Sequence, residues 1–270
     1  MPELPEVETI ARGIKKHILN QYVKNVVIRA PRLRWPISKE IPAFMKNMEI
    51  KAVERRGKYL LFHTKNGTLI LHLGMSGNLK ILSKDTPLKK HDHIDIVFKN
   101  GMILRFNDPR RFGACVFSID YMNHPLIKKL GVEPLTKAFS KKYLWEHSRH
   151  RNVPIKSFIM NHEIVVGVGN IYATEALFAA KIHPKRIAKT LTEKECECLT
   201  LHIKKVLKNA IRAGGTTLKD FVNSDGNPGY FTLKLKAYGR GGLPCMSCFE
   251  PLEEIRITGR STVFCKHCQK

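Results

Sequence analysis

Acidic residues are scarce in this 270-residue chain: 23 Asp and Glu stand against 47 Lys and Arg, a formal net charge of +24. That imbalance implies an acidic substrate or surface. Nucleic acid is the commonest match to such a field, with an anionic membrane surface as runner-up. No stretch reaches the ~18 to 20 apolar residues that a membrane-spanning helix needs. The start has neither the basic residues nor the apolar run of a secretory leader. Both absences predict a cytoplasmic protein with no membrane partner. Internal repeats and low-complexity segments are missing too, as is an amphipathic basic helix with a bulky aromatic face, which weighs against a lipid binder. The cysteine count is odd, seven, which argues against a disulfide framework.

What is present is a chain able to fold. Apolar residues make up 43%, and 270 residues suffice for one large or two modest domains. The cations are spread through IKKHI, RLRW, ERRGK, DPRRF and RHRNVPIK rather than gathered in a tail. That distribution predicts a folded basic surface.

The first residues, MPELPEVE, admit two readings. One is a helix start: Pro5 in the first turn, Glu6 and Glu8 near the positive end of the dipole, and Val7, Ile10, Ala11, Ile14 and Ile18 on one apolar face. The other is an active site built on the N-terminus, because such a helix leaves Pro2 and Glu3 just ahead of its first turn.

Strand character then dominates to about residue 118, in VKNVVIRA, KYLLFHT, GTLILHLGM, HIDIVF, MILRFND and ACVFSI. Short turns between them predict an antiparallel sandwich. Beyond GVEPL the pattern turns helical, in KAFSKKYLWEHSRH, VPIKSFIMN, IYATEALFAAK and TEKECECLTLHIKKVLKNAIRAG. The expected class is α+β: an N-terminal helix with a β-sandwich (1–130), a helical domain (131–235) and a zinc-finger hairpin (236–270).

Cys245 and Cys248, then Cys265 and Cys268, form two CxxC pairs sixteen residues apart. Each pair turns two sulfurs toward one ion, and four thiolates close a tetrahedral Zn²⁺ shell, so one structural zinc is expected. His267, inside the second pair, is surplus to that set. Between the pairs, two short strands joined by Thr258-Gly259-Arg260-Ser261 place Arg260 at a hairpin tip. Cys115, Cys196 and Cys198 are left as reduced thiols. Val166-Gly167-Val168-Gly169-Asn170 leads into a helix, with Asn170 at the expected N-cap; it is a phosphate-binding turn or a plain helix cap.

PELPEVE, GKYLLF, HLGMSG, DPRRFGA, GVGNIYATEALF, GGTTLKDF, SDGNPGYF and the cysteine hairpin occur in that order along the whole chain. Together they closely resemble the bacterial formamidopyrimidine-DNA glycosylase family. The resemblance implies a β-sandwich, a helix–two-turns–helix domain and a zinc finger, acting as a monomer on damaged double-stranded DNA at the nucleoid. It implies a bifunctional enzyme, a glycosylase for oxidised purines (8-oxoguanine, formamidopyrimidines) and an abasic-site lyase. Pro2, freed of Met1, becomes the nucleophile; its α-amino group has a reference pKa of ~8, so a useful fraction is neutral at pH 7. Glu3 becomes the general acid/base, Glu6 an organiser of its pocket, and Lys58, in the Gly57-Lys58-Tyr59 strand, the β-elimination proton donor. Arg260 becomes a DNA-binding and δ-elimination residue that clamps phosphates together with Asn170. His91, Arg110 and Arg151 become DNA contacts, and Met75, Arg110 and Phe112 fill the space left by the extruded nucleotide. The SDGNPG loop (224–229) becomes a lid favouring purine lesions. Blander readings compete: a solvated strand-edge charge for Lys58, a turn histidine for His91, core residues for Met75 and Phe112. Two rival functions are an endonuclease VIII-type glycosylase for oxidised pyrimidines and a non-catalytic zinc-containing DNA-binding protein.

Overall fold

A computed structural model describes residues 2–214 and 235–270, which form two compact units, 2–128 and 129–213 with 235–270. The proposed lid at 224–229 lies outside the described residues.

In the first unit, helix α1 (Leu4–Ile18) buries Val7, Ile10, Ala11, Ile14 and Ile18, the apolar face expected from the spacing. Eight strands follow: β1 (Val23–Ile28), β2 (Ala52–Arg56), β3 (Tyr59–Thr64), β4 (Gly67–His72), β5 (Asn78–Ser83), β6 (Asp92–Phe98), β7 (Met102–Asn107) and β8 (Ala114–Ser118). A short helix, α2 (Ile41–Met45), packs against β1 and β8. The strands form two antiparallel four-stranded sheets, ordered β1-β6-β7-β5 and β2-β3-β4-β8. Leu60, Phe62, Leu69 and Leu71 from one sheet join Ile94, Ile96, Leu104 and Phe106 from the other in one core with the α1 face. At about 25 cal/mol per Å², burying such side chains is the main drive for this layer.

Two strands escaped the sequence reading, β2 (AVERR) and β5 (NLKILS). Both are edge strands, and each buries one residue fully, Val53 and Leu79. Edge strands carry charge as protection against pairing with other chains, so the alternation signal fades there.

The second unit is helical: α3 (Pro125–Lys128) precedes it, then come α4 (Lys141–Ser148), α5 (Ile155–Ile159), α6 (Asn170–Ala180) and α7 (Glu193–Arg212). Ser140 caps α4 and Thr192 caps α7, the latter with Glu195 in a capping box. Helix α6 is apolar on nearly all sides and runs through the middle of the core. The hairpin β9 (Glu253–Ile257) and β10 (Arg260–Phe264) closes the chain.

Candidate active site and metal centre

The N-cap of α1 is Glu3, and its backbone N–H donates to Glu6 Oε2 at 2.8 Å. Pro2, Glu3 and Glu6 are all buried. The helix therefore begins at Leu4 and leaves Pro2 as the residue immediately ahead of a capped N-terminus. The helix-start reading of MPELPEVE holds, and it leaves Pro2 at the position that the active-site reading requires.

Lys58 is not on a strand. With Gly57 it forms the two-residue turn between β2 and β3, flanked by the Arg56–Tyr59 pair, and Gly57 has φ +59°. Glycine takes that left-handed conformation without a Cβ penalty. Helix α1 packs on β2 and β3, and Glu8 of α1 accepts from Arg55 Nε at 2.8 Å and from Arg12 Nε at 2.7 Å. Burial pushes the Glu8 pKa up, but the two guanidiniums outweigh it and hold the carboxyl below its usual range.

His72, at the end of β4, is a residue the sequence reading did not single out. Its Nδ1 accepts from the Gly74 N–H at 2.9 Å, and its ring lies against Tyr59 at 4.9 Å. Burial, then the fields of Lys58 and Arg34, push its pKa down to about 4. It is a neutral imidazole with its proton on Nε2, in cationic surroundings.

Asp108, fully buried, ties its own loop to the Ser76 turn and to strand β6. Its Oδ1 accepts from Ser76 Oγ at 3.1 Å, its Oδ2 accepts from the Gly113 N–H at 2.8 Å, and its carbonyl accepts from His93 Nε2 at 2.9 Å. Gly74 has φ +66°, and a Cβ there would stand 2.4 Å from the Phe112 carbonyl carbon, so only glycine permits this approach. The result is an exposed cluster: Met75 (40% exposed) and Phe112 (43%), with the Arg110 guanidinium 5.0 Å over the Phe112 ring. Neither apolar side chain is core. His91, with φ +73°, ends a loop that Arg105 and Asn107 hold: Arg105 Nη1 donates to the Pro87 carbonyl at 3.0 Å, and Asn107 Nδ2 to the Lys90 carbonyl at 3.0 Å.

In the second unit Gly169, not Asn170, is the N-cap of α6. Asn170 is the first helical residue, and its Nδ2 donates to the Ser261 carbonyl at 3.0 Å. Its buried Oδ1 has no partner among the described residues. Lys156, 1% exposed, donates to Thr262 Oγ1 at 2.8 Å and to the Ser261 carbonyl at 3.2 Å. An ammonium and a side-chain amide thus fasten β10 to α5 and α6. The hairpin turn is Thr258-Gly259 alone, both at positive φ, so Arg260 opens β10 beside the tip and is exposed. Within this unit Asn170 is thus bonded to Ser261, the residue next to Arg260. Arg151 is exposed after α4, while its neighbour Arg149 is used structurally, donating to the Leu191 carbonyl at 2.6 Å.

The four cysteine sulfurs lie within 4.8 Å of one another, with Cys248 and Cys265 3.4 Å apart. A tetrahedral site with Zn–S of ~2.3 Å places sulfurs about 3.8 Å apart, so the set fits zinc. Backbone N–H groups of Ser247 and Cys268 point at the Cys245 and Cys265 sulfurs, as thiolate ligands require. Cys245, Cys248, Cys265 and Cys268 hold one structural zinc, and His267 lies outside the ligand set. Cys115 is an inert thiol, its pKa raised to about 12 by burial.

Comparison with known proteins gives the same picture in three pieces. The Formamidopyrimidine-DNA glycosylase N-terminal domain matches residues 1–115, its H2TH domain 130–222, and a zinc finger found in FPG and IleRS 242–270. Formamidopyrimidine-DNA glycosylases of Marinobacter nauticus and Pseudomonas entomophila are 50% and 51% identical over the full length of both chains. Among solved structures, the MutM (FPG) protein of Thermus thermophilus is 38% identical, with TM-score 0.88 over 99% of this chain and 98% of that one. A Lactococcus lactis FPG mutant in complex with Fapy-dG-containing DNA is 32% identical, with TM-score 0.92 over all of both chains. The Lactococcus lactis Fpg with abasic-site DNA is 32% identical, with TM-score 0.90 over 99% of each. The chain belongs to the formamidopyrimidine-DNA glycosylase family.

Proposed function

We propose that this protein excises oxidised purines, 8-oxoguanine and formamidopyrimidines, from duplex DNA and then nicks the abasic site by β,δ-elimination. One observation carries the reading: a buried Pro2 sits directly ahead of a capped helix, beside the buried acid Glu3. A buried nucleophile suits a target nucleotide that is flipped out of the duplex into the protein. Relatives solved with Fapy-dG and abasic-site DNA support the substrate class.

Once Met1 is removed, the Pro2 amine attacks C1′, the bond from C1′ to the base breaks, and the base leaves with its electron pair and a proton. Glu3 supplies and accepts protons as the base departs and the sugar ring opens. A secondary amine on C1′ yields an iminium, which needs no further proton loss and draws electrons from C2′. Loss of the C2′ proton expels the 3′ phosphate, and a second elimination expels the 5′ phosphate. Hydrolysis of the iminium returns the amine. Lys58 serves proton transfer in the elimination. Arg260 and Asn170 grip phosphates, the guanidinium through its paired donors. His91, Arg110 and Arg151 extend the phosphate grip. Met75, Arg110 and Phe112 enter the gap in the stack. The neutral His72 adds an Nε2–H donor that acts without a charge. The zinc supplies rigidity to the hairpin and takes no part in the chemistry.

Among the described residues no helix is long and apolar enough to cross a membrane. We place the enzyme in the cytoplasm at the nucleoid, where its substrate is, acting as a monomer as the family resemblance implies.

The test is a duplex with one 8-oxoguanine opposite cytosine, trapped with borohydride and mapped by peptide mass spectrometry. A reduced adduct on a peptide starting at Pro2 is expected. An adduct with an oxidised pyrimidine instead moves the chain to the endonuclease VIII reading. Binding without any adduct, from protein shown to lack Met1, leaves a DNA-binding protein.

A further inference from the structure

We propose that Arg55 is a positioning residue that sets the Lys58 ammonium relative to Pro2, so that it governs elimination more than base release. The inference rests on the roles given above to Pro2 and Lys58. Arg55 lies on β2 with only a tenth of its side chain exposed. Its Nε donates to Glu8 Oε2 at 2.8 Å, and its Nη1 donates to the Gly57 carbonyl at 3.1 Å. That carbonyl belongs to the peptide unit whose nitrogen is the Lys58 nitrogen. One planar guanidinium therefore joins the second turn of α1, the helix that begins at the nucleophile, to the peptide from which the Lys58 side chain grows. The Arg12 donor on the other Glu8 oxygen fixes the carboxylate that receives Arg55.

Only a fork with fixed donor directions spans both acceptors; a lysine ammonium at position 55 reaches one or the other. Without the link, the turn keeps its Gly57 geometry but loses its register on α1. Base release draws on Pro2 and Glu3, which lead directly into α1 and keep their geometry. Elimination draws on the span from α1 to the turn, where a 1 Å error costs up to about 100-fold.

Arg55→Lys, Arg55→Ala and Glu8→Gln are compared with the wild-type chain in single-turnover assays that separate base release from strand nicking. Thermal melting and binding to a duplex carrying a tetrahydrofuran abasic analogue run alongside. Nicking is expected to slow roughly 10- to 100-fold in Arg55→Lys, while base release falls less than about threefold. Borohydride-trappable adduct then accumulates, and Glu8→Gln shifts the partition in the same direction. Equal losses in both steps, or wild-type partition in the folded Arg55→Lys and Glu8→Gln chains, overturn the proposal. If Arg55→Ala fails to fold, those two variants decide. A wild-type chain with no adduct at Pro2 instead overturns the parent reading.

Discussion

Ser76 Oγ donates to Asp108 Oδ1 at 3.1 Å, and this bond ties the turn that carries Met75 to the turn that carries Arg110 and Phe112. The second carboxylate oxygen takes the Gly113 N–H, so replacing Asp108 orphans donors on two loops at once. Asp108→Ala is expected to cost about 1–3 kcal/mol, read as a lower melting temperature. It also weakens binding to a lesion duplex, read by fluorescence anisotropy. Unchanged affinity with the melting loss intact would mean the two loops do not need each other at the DNA.

Phe112 tests the opposite case. Its ring is exposed and touches Arg110, not the core. Phe112→Ala should leave stability within about 0.5 kcal/mol, whereas excision of 8-oxoguanine from duplex DNA should drop sharply. A large melting loss would return Phe112 to the core reading.

His72 makes stability depend on acid. Its folded pKa of about 4 lies below the ~6.5 of an unfolded histidine. Between those values the unfolded chain binds the extra proton, so stability falls as pH drops from about 6.5 toward 4. His72→Gln carries no such proton, and its melting temperature should fall less steeply through that window. Parallel acid limbs for the two proteins would rule His72 out as a contributor.

Chelation tests the metal. One zinc per chain is expected by elemental analysis, with four thiolates as ligands. Its removal, or Cys265→Ala, should loosen the hairpin, lower the melting temperature and weaken DNA binding together, because β10 carries Arg260 and supplies the acceptors for Lys156 and Asn170. Full DNA affinity in the zinc-free chain would separate the metal from the interface.

Much of this was legible in the residues. The α1 face, the helices α4 to α7 and the four-cysteine set follow from periodicity and spacing, which local sequence carries directly. What was not legible depends on partners distant in the chain. Glu175 is the one acid on a helix buried on nearly every side, and it is satisfied by the backbone N–H groups of Lys236, Ala237 and Tyr238 at 2.8–2.9 Å, some sixty residues away. The roles of His72 and Asp108 depend likewise on loops that meet only after folding. The misplacements of Asn170, Lys58 and Arg260 have a local cause: glycines at 169, 57 and 259 take the cap and turn positions, so Asn170 and Arg260 open the element that follows and Lys58 sits in the turn itself.

The buried N-terminus imposes an order on maturation. Pro2, Glu3 and Leu4 are all buried, and the Glu3 N–H is held by Glu6. Removal of Met1 is therefore expected to be easiest before α1 docks on the sheets. Intact-mass analysis of Met1-bearing protein given a methionine aminopeptidase before and after refolding checks this: equal trimming of the folded chain would show that the end stays within reach.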